Sequence, residues 1–338
     1  MNSNLYRMRW QSEELGYNVP LDMRDRTGWM IYNPAAGRFP AAPLLGRAAE
    51  VLRRAGWRIH LKICDQPWPV ADVAREAVQA SADAVFVVGG DGSVGQVASV
   101  LAGTETALGV LPAGTANVWA QELGLPRLDW IHWFALEQAA EQLAYCEERL
   151  VDLGVCNDHY FLLWAGVGLD AHIVNSIEPR ERWEKAFGIV HYATLALWNA
   201  TGWKGIDIIA HSGEQSWEGR FLIAVASNIP AYAGGLVDLA RGAKVDDGLL
   251  DFWLIGGDTL NDALLRVAQI FTGRLVDAQG VVNFRSARAT FEMQKPSEIQ
   301  CDGEPCRRHS VVDFHVLPQA LRVLVPMDGG QRAFSRKS

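Results

Sequence analysis

The sequence predicts two successive domains, an α/β domain with a mostly parallel sheet and then a domain rich in antiparallel strands. Three observations support this prediction. Short apolar segments alternate with amphipathic helical segments up to about residue 147, which is typical of a helix-covered parallel sheet. From residue 148 onward strand-like segments dominate, and several alternate apolar and polar side chains, as antiparallel strands with one solvated face do. The length of 338 residues also exceeds what one core usually serves.

Four strand–helix repeats make up the first predicted domain. The strands are predicted at 29–32, 57–63, 84–88 and 108–111. Helices with one apolar face are predicted at 44–55, 70–80, 94–101, 116–123 and 130–143. Residues 1–27 are polar and charged, which predicts a flexible N-terminal arm. We expect the α/β domain to span 28–147 and to be joined by the C-terminal segment 318–338, which leaves 148–317 for the β-rich domain.

Strand-like apolar segments are more numerous after residue 148 than before it. The strands of the β-rich domain are predicted at 150–155, 160–165, 206–210, 220–227, 249–255, 281–284, 289–293, 311–316 and 321–325. Two helices are predicted at 180–198 and 260–271. The first of these is rich in aromatic side chains, so we expect it to pack on the sheet, with a ligand-lining wall or a membrane-facing surface as the alternative.

Composition and charge exclude several classes of function. The net charge of −8 argues against a general nucleic-acid binder, which needs a basic surface. Five scattered cysteines without a CxxC pair indicate neither a zinc site nor a disulfide framework, so reduced thiols in the cytoplasm are expected. The N-terminal segment does not resemble a signal peptide. No apolar segment approaches the about 18 residues that a membrane-spanning helix needs.

Three short turns, each directly after a predicted strand, have the composition of phosphate-binding loops. Glycines allow a backbone to approach a ligand closely, and a helix N-terminus attracts anions. The first turn consists of Asn33, Pro34, Ala35, Ala36 and Gly37, the second of Gly89, Gly90, Asp91, Gly92 and Ser93, and the third contains Gly114, Thr115 and Asn117.

Each turn has a simpler explanation when it is considered alone. Asn-Pro and Gly mark ordinary loops, and Thr115 is a good N-cap for the helix predicted at 116–123. The carboxyl ends of neighbouring parallel strands face one crevice, however, and ligands of open α/β sheets bind there. The three turns together therefore predict one shared nucleotide-phosphate site.

Two acidic segments in the second half of the chain are candidates for catalysis or metal binding. Asp302 and Glu304 follow a strand-like segment, so in extended backbone their carboxylates would point to the same side. One carboxylate could then act as a base and the other as a metal ligand; the alternative is a polar turn. Asp246-Asp247-Gly248 similarly suits either a type I turn or a site for a hard cation.

Together these motifs resemble the diacylglycerol kinase catalytic domain family, which includes bacterial lipid kinases and sphingosine kinases and is distantly related to NAD kinases. The resemblance covers about residues 28–326. The matching motifs are Asn33-Pro34 with Gly37, Gly89-Gly90-Asp91-Gly92-Ser93, Gly114-Thr115-Ala116-Asn117, Lys244-Val245-Asp246-Asp247-Gly248 and Asp302-Gly303-Glu304. Gly95, Gln96 and Val118 depart from the residues that the family often has.

The resemblance implies a fold and a set of roles. The fold would be a nucleotide-binding α/β domain, similar to those of NAD kinases and diacylglycerol kinases, followed by an antiparallel β-sandwich, with ATP in the cleft between them. The three glycine-containing turns would contact ATP and Asp302 would be the general base. Glu304, with Asp91 through water, would hold the catalytic Mg²⁺. A second, structural Mg²⁺ would bind the Asp247 carboxylate and the carbonyls of Lys244 and Leu249.

These implications lead to one main hypothesis and two alternatives. The main hypothesis is an ATP- and Mg²⁺-dependent lipid kinase with a diacylglycerol-like acceptor, acting as a cytoplasmic protein that contacts membranes transiently. A lipid alcohol at a membrane surface would be its partner, with no nucleic acid and a possible homodimer. The alternatives are a kinase of the NAD-kinase type, with a soluble substrate, and a non-catalytic nucleotide-binding regulator with the same fold.

Overall fold

The computed structural model describes residues 26–34, 41–64, 69–126, 132–176 and 204–335. The predicted N-terminal arm, the predicted helix at 180–198 and the residues Ala35, Ala36 and Gly37 of the first turn lie outside these ranges. None of the helices in the described ranges is long and apolar enough to cross a bilayer.

The N-terminal half alternates strands and helices as predicted. In chain order its elements are β1 (Arg26–Tyr32), α1 (Ala42–Arg54), β2 (Trp57–Ile63), α2 (Val70–Gln79), β3 (Ala84–Gly89), α3 (Asp91–Leu101), β4 (Ala107–Pro112), α4 (Val118–Glu122) and α5 (Ala135–Ala144). The strands are parallel in the order β2-β1-β3-β4. Every residue of β3 is buried, as expected for a central strand with helices on both faces.

The C-terminal half is an antiparallel β-sandwich. Its elements are β5 (Cys146–Cys156), β6 (His159–Phe161), β7 (Trp164–Gly168), α6 (Leu169–Ser176), β8 (Ile206–Ser212), β9 (Gln215–Ser227), β10 (Ala231–Tyr232), β11 (Val237–Asp238), β12 (Leu250–Gly256), α7 (Leu260–Phe271), β13 (Val281–Ser286), β14 (Arg288–Cys301) and β15 (Glu304–Pro326). Phe252, Phe291 and Phe314 form a buried aromatic cluster with ring centroids 4.9–6.0 Å apart. The predicted fold class is therefore confirmed.

The long strand β15 connects the two halves. It pairs antiparallel with β14 and β5, and at Val323 it pairs parallel with Leu108 of β4. The sequence predicts two separate strands here, at 311–316 and 321–325. The structure has one strand, whose register shifts between Leu317 and Leu321. Gln319, in the left-handed region with φ of 53°, lies within this irregularity. The domain boundaries stay predictions.

Two other predicted elements differ in ways that matter for the site. The predicted helix at 116–123 is confined to α4, which begins at Val118 because Asn117 has a left-handed backbone. The predicted strand at 160–165 is divided into β6 and β7. The division falls at Leu162 and Leu163, whose backbone N–H groups are occupied by a side chain from the other end of the domain, Asp302.

Candidate active site

The second and third predicted turns lie against each other at the carboxyl edge of the parallel sheet. β3 ends at Gly89 and β4 at Pro112. A Cβ on Gly114 would lie 2.3 Å from the Cα of Gly90 and 3.0 Å from its nitrogen. Real Cβ atoms do not approach backbone so closely, so this contact requires glycine at position 114.

The described part of the first turn joins the other two. The Asn33 side-chain amide donates to the Ser93 hydroxyl over 3.1 Å, and the Asn33 backbone N–H donates to the Val88 carbonyl over 3.3 Å. Pro34 follows Asn33 at the same edge of the sheet. The structure thus brings Asn33 of the first turn together with the second turn, as the sequence predicts.

Helix α3 begins in this cluster with its N-terminus free of any side-chain cap. Its N-cap is Gly90 and its first residue is Asp91. The first N–H groups of a helix lack intrahelical acceptors, and together with the helix dipole they attract anions. The arrangement suits a phosphate group that approaches the glycine-rich turn.

Asp91 points toward the neighbouring helix. Its Oδ1 accepts from the Trp119 backbone N–H over 3.1 Å. Burial raises the pKa of Asp91, and N–H groups at the start of α4 oppose that rise. Asp91 therefore caps α4 from another turn. Thr115 precedes α4 by three residues and is not its N-cap. Helix capping therefore does not account for the presence of a threonine at position 115.

The Asn117 side chain stabilises the third turn from within. Its Oδ1 accepts from the Gly114 N–H over 2.9 Å, and its Nδ2 donates to the Gly114 carbonyl over 2.8 Å. Both ends of the Asn117 amide thus bind the backbone of one residue, Gly114. Its contact with a nucleotide stays a prediction.

Asp302 and Gly303 form the turn between β14 and β15, not an extended segment. Their φ angles are +50° and +81°, and Cys301 pairs with Glu304 across the turn. Two successive left-handed residues define a type I′ hairpin turn, for which Asp-Gly is a favoured sequence. The prediction of extended backbone from Asp302 to Glu304 was wrong, because the Asp-Gly pair favours this turn.

The Asp302 carboxylate is buried and held by backbone. Its Oδ2 accepts from Leu162 N–H over 2.7 Å, and its Oδ1 accepts from the N–H groups of Leu163 and Trp164 over 2.8 and 3.1 Å. Ionised carboxylates have about four acceptor positions. The described residues fill three of them, which leaves the fourth, on Oδ2, without a partner among those residues. Burial raises the pKa of Asp302 to about 7, although the three N–H groups oppose the rise.

The two carboxylates of the motif lie over the first turn of α3. A Cβ on Gly95 would be 3.1 Å from Oδ2 of Asp302, and one on Gly92 would be 3.2 Å from Oε1 of Glu304. Positions three apart share one face of a helix. The hairpin turn therefore covers a face of α3 that has no side chains at these two positions. Gly95, a departure from the family pattern, thus lies where any side chain would meet Oδ2 of Asp302.

The carboxylates near α3 have the chemistry of a magnesium site that is completed by a substrate. Mg²⁺ is usually held by one or two carboxylates together with phosphate oxygens and water. Half-buried Glu304 meets this requirement beside the phosphate-binding turn. The Asp91 carboxylate is bound to the start of α4, and its contact with the metal through water stays a prediction. The described residues contain no group of three or more His, Cys, Asp or Glu side chains that could hold a metal ion.

The Asp247 carboxylate, predicted to bind a second Mg²⁺ with the carbonyls of Lys244 and Leu249, has a cationic partner in the structure. The Asp247 carboxylate is bound by the Arg285 guanidinium, which also contacts Asp251 over 3.1 Å. The other oxygen of the Asp247 carboxylate accepts from the Leu249 N–H. The Lys244 ammonium donates to the Arg332 carbonyl, and metal binding by the Lys244 and Leu249 carbonyls stays a prediction. Arg285 thus supplies the positive charge at this loop.

Three comparisons with known proteins extend this description. A model of the diacylglycerol kinase catalytic domain matches residues 27–156, and one of the YegS C-terminal NAD kinase beta sandwich-like domain matches residues 164–325. A probable lipid kinase YegS-like protein of Citrobacter koseri is 30% identical, over 86% of this chain and 97% of that protein. A diacylglycerol kinase of Bacillus subtilis is 22% identical, over 81% of this chain and 88% of that protein.

Solved structures share the fold. A chain from Bacillus anthracis superposes with a TM-score of 0.74 at 20% identity, covering 91% of this chain and 98% of that chain. A diacylglycerol kinase structure from the same organism gives a TM-score of 0.66 at 17% identity, covering 89% of this chain and 97% of that chain.

Fold and site together define a two-domain kinase of the NAD kinase-like superfamily. Within that class the chain belongs to the diacylglycerol kinase catalytic domain family, in its branch of YegS-like lipid kinases.

Proposed function

We propose that this protein is an ATP- and Mg²⁺-dependent lipid kinase that phosphorylates a lipid hydroxyl, with a diacylglycerol-like acceptor. The observation that carries the proposal is the position of Asp302. Its Oδ2 accepts one hydrogen bond from the described residues and lies beside Gly95 of α3, next to the turns that suit the phosphates. The names of the related proteins, probable lipid kinase and diacylglycerol kinase, support the choice of a lipid acceptor.

The proposed reaction is a direct phosphoryl transfer. The lipid hydroxyl gives its proton to Oδ2 of Asp302 while its oxygen forms a bond to the γ-phosphorus. The bond from that phosphorus to the β,γ-bridging oxygen breaks, and ADP leaves with the electron pair. Such transfers depend mainly on positioning and on neutralising phosphate charge. Leu162, Leu163 and Trp164 fix the carboxylate, so it needs no reorientation.

Mg²⁺, when bound, would neutralise the phosphate oxygens. Glu304 would hold it beside Gly92, at the mouth of the phosphate turns. The N–H groups at the start of α3 would bind phosphate oxygen directly. The base and the metal ligand would thus be the two carboxylates of one hairpin, Asp302 in its turn and Glu304 directly after it.

The function is tested by transfer from γ-labelled ATP in mixed micelles. The acceptors are diacylglycerol, monoacylglycerol, ceramide, sphingosine and, as the soluble comparison, NAD. We expect a labelled phospholipid with diacylglycerol or a related neutral lipid alcohol. Product with NAD alone would instead establish the NAD-kinase-type alternative. ATP binding without product on any acceptor would establish the non-catalytic regulator.

The raised pKa of Asp302 predicts a pH dependence of the transfer rate. A base must be deprotonated to accept the hydroxyl proton. Because the pKa of Asp302 is raised to about 7, the rate at saturating substrates should increase about tenfold per pH unit below that value and level off above it. Initial rates are measured across this range, with circular dichroism to exclude unfolding at low pH. A flat profile down to pH of about 5 would contradict Asp302 as the base.

A lipid acceptor would require contact with a membrane surface. We propose that the protein acts as a peripheral protein on the cytoplasmic side, which the five free cysteines favour. Co-sedimentation with phosphatidylcholine vesicles that contain diacylglycerol tests membrane contact. Analytical ultracentrifugation tests the possible homodimer.

A further inference from the structure

A buried hydrogen-bond network adjoins the Asp302-Gly303 turn. Its centre is Gln300, which is 1% exposed and lies two residues before Asp302. The Gln300 Oε1 accepts from the Gly303 N–H over 2.9 Å. Its Nε2 donates to Oδ2 of Asp170 over 3.0 Å. Both ends of one amide are therefore used, one of them on the catalytic turn itself.

Asp170 anchors this network in the first turn of α6. Its Oδ2 also accepts from the Tyr232 hydroxyl over 3.0 Å. Burial raises the pKa of Asp170, and the hydrogen bonds from Gln300 and Tyr232 oppose the rise. Both groups donate to the same carboxylate oxygen, and this acceptor fixes which way the Gln300 amide is oriented.

Local sequence makes room for the network. Gly166 pairs with Gln300 in the sheet, and a Cβ on Gly166 would be 3.1 Å from Oδ2 of Asp170. Any side chain there would crowd that carboxylate. The Tyr232 ring also packs edge-on against Trp164 with centroids 5.4 Å apart. Trp164 exchanges backbone hydrogen bonds with Asp302, from its N–H to Oδ1 and from Asp302 N–H to its carbonyl.

We propose that Gln300 is a positioning residue, which Asp170 and Tyr232 anchor so that it fixes the Asp302-Gly303 turn over α3. If β14 and β15 alone held the turn, its orientation relative to α3 could change. Gln300 binds the turn at Gly303, while the N–H groups at 162–164 bind Asp302. Since a displacement of about 1 Å can cost a reaction about 100-fold, this support matters for transfer. The inference rests on the proposed function, because it is the base that the turn carries.

The first test removes the amide from Gln300. Gln300→Met keeps the length of the side chain and removes both hydrogen bonds. We expect kcat for lipid phosphorylation to fall about 10- to 100-fold with the KM for ATP unchanged. Gln294→Met, the same substitution at an exposed position of β14, is the control and should change neither constant. Thermal unfolding of both variants shows whether the protein remains folded.

The second test exchanges the hydrogen-bond donor and acceptor between positions 300 and 170. Gln300→Glu keeps the acceptor for Gly303 but places a second carboxylate against Asp170, so it should lose activity as severely as Gln300→Met. Asp170→Asn alone should be mild, since the asparagine oxygen can replace the acceptor. Combined, the two substitutions restore a hydrogen bond with donor and acceptor exchanged. The double variant should regain at least about tenfold in kcat over Gln300→Glu. If it regains nothing, Asp170 does not act through Gln300.

A third measurement is independent of the acceptor. Hydrogen–deuterium exchange of the segment 299–306 reports the Gly303 N–H directly. We expect Gln300→Met to exchange faster there, and Gln294→Met to match the unmodified protein. If no lipid is phosphorylated by the unmodified protein, the proposed function fails, while exchange at Gly303 still decides the role of Gln300. Unchanged exchange in Gln300→Met would overturn that role.

Discussion

Asp302→Asn should reduce the rate of phosphate transfer about 10²- to 10⁴-fold, the usual contribution of a general base. The side chain keeps its size but loses the acceptor position on Oδ2 that would receive the hydroxyl proton. Nucleotide binding should persist, because the glycine-rich turns and α3 are not altered. The measurements are kcat from labelled ATP and ATP affinity by calorimetry. Unchanged turnover would exclude Asp302 as the base.

The substitution also affects stability, which the experiment must separate from catalysis. Asparagine presents an NH₂ group where the carboxylate accepts backbone N–H groups, so one donor at 162–164 loses its partner at a cost of about 1–3 kcal/mol. Asp152→Asn is the matched control. Asp152 is 1% exposed and also accepts from two backbone N–H groups, those of Gly248 and Gln319. It should lose comparable stability and keep transfer per folded molecule.

The meeting of the glycine-rich turns could be predicted from the sequence because it follows from strand order. β3 and β4 are neighbours and parallel, so turns at their carboxyl ends share one edge. The contacts of Gly90 with Gly114 and of Asn33 with Ser93 are of this kind. To predict these contacts only the positions of the strand ends are required, and the apolar segments of the sequence indicate those positions.

The surroundings of Asp302 could not be predicted in the same way. The N–H groups that bind it are 138–140 residues earlier in the chain, and they are backbone groups, which leave no trace in residue type. Gln300 did leave a signal, as a polar residue between Ile299 and Cys301 in a buried strand segment. The Asp302-Gly303 pair is also a sequence that predicts a hairpin turn.

The direction of a side chain is a further limit of sequence reasoning. Motif position suggests that Asp91 faces a metal, but its carboxylate lies against the start of α4. At Asp247 the charge partner is Arg285, 38 residues away. In both cases the residue lies where the pattern predicts, and a partner from another element decides what it binds.

Gly114→Ala should abolish nucleotide binding, and transfer with it. The added Cβ would lie 2.3 Å from Cα of Gly90 and 2.9 Å from Oδ1 of Asn117. The first of these neighbours is backbone at the N-cap of α3, so relief requires one turn to move away from the other. Movement there displaces the N–H groups that would receive phosphate. Calorimetric titration with ATP measures the loss, and overpacking should also cost about 1–3 kcal/mol of stability.

Gly46→Ala is the matched control for this steric argument. Gly46 is exposed in α1, and a Cβ there would meet no atom within 4 Å. Alanine is favoured over glycine in a helix interior by about 1 kcal/mol, so stability should hold or rise and ATP binding should not change. If Gly114→Ala binds ATP as tightly as Gly46→Ala does, the contact between the two turns is not needed for the nucleotide. Phosphate would then have to bind α3 independently of the turn that follows β4.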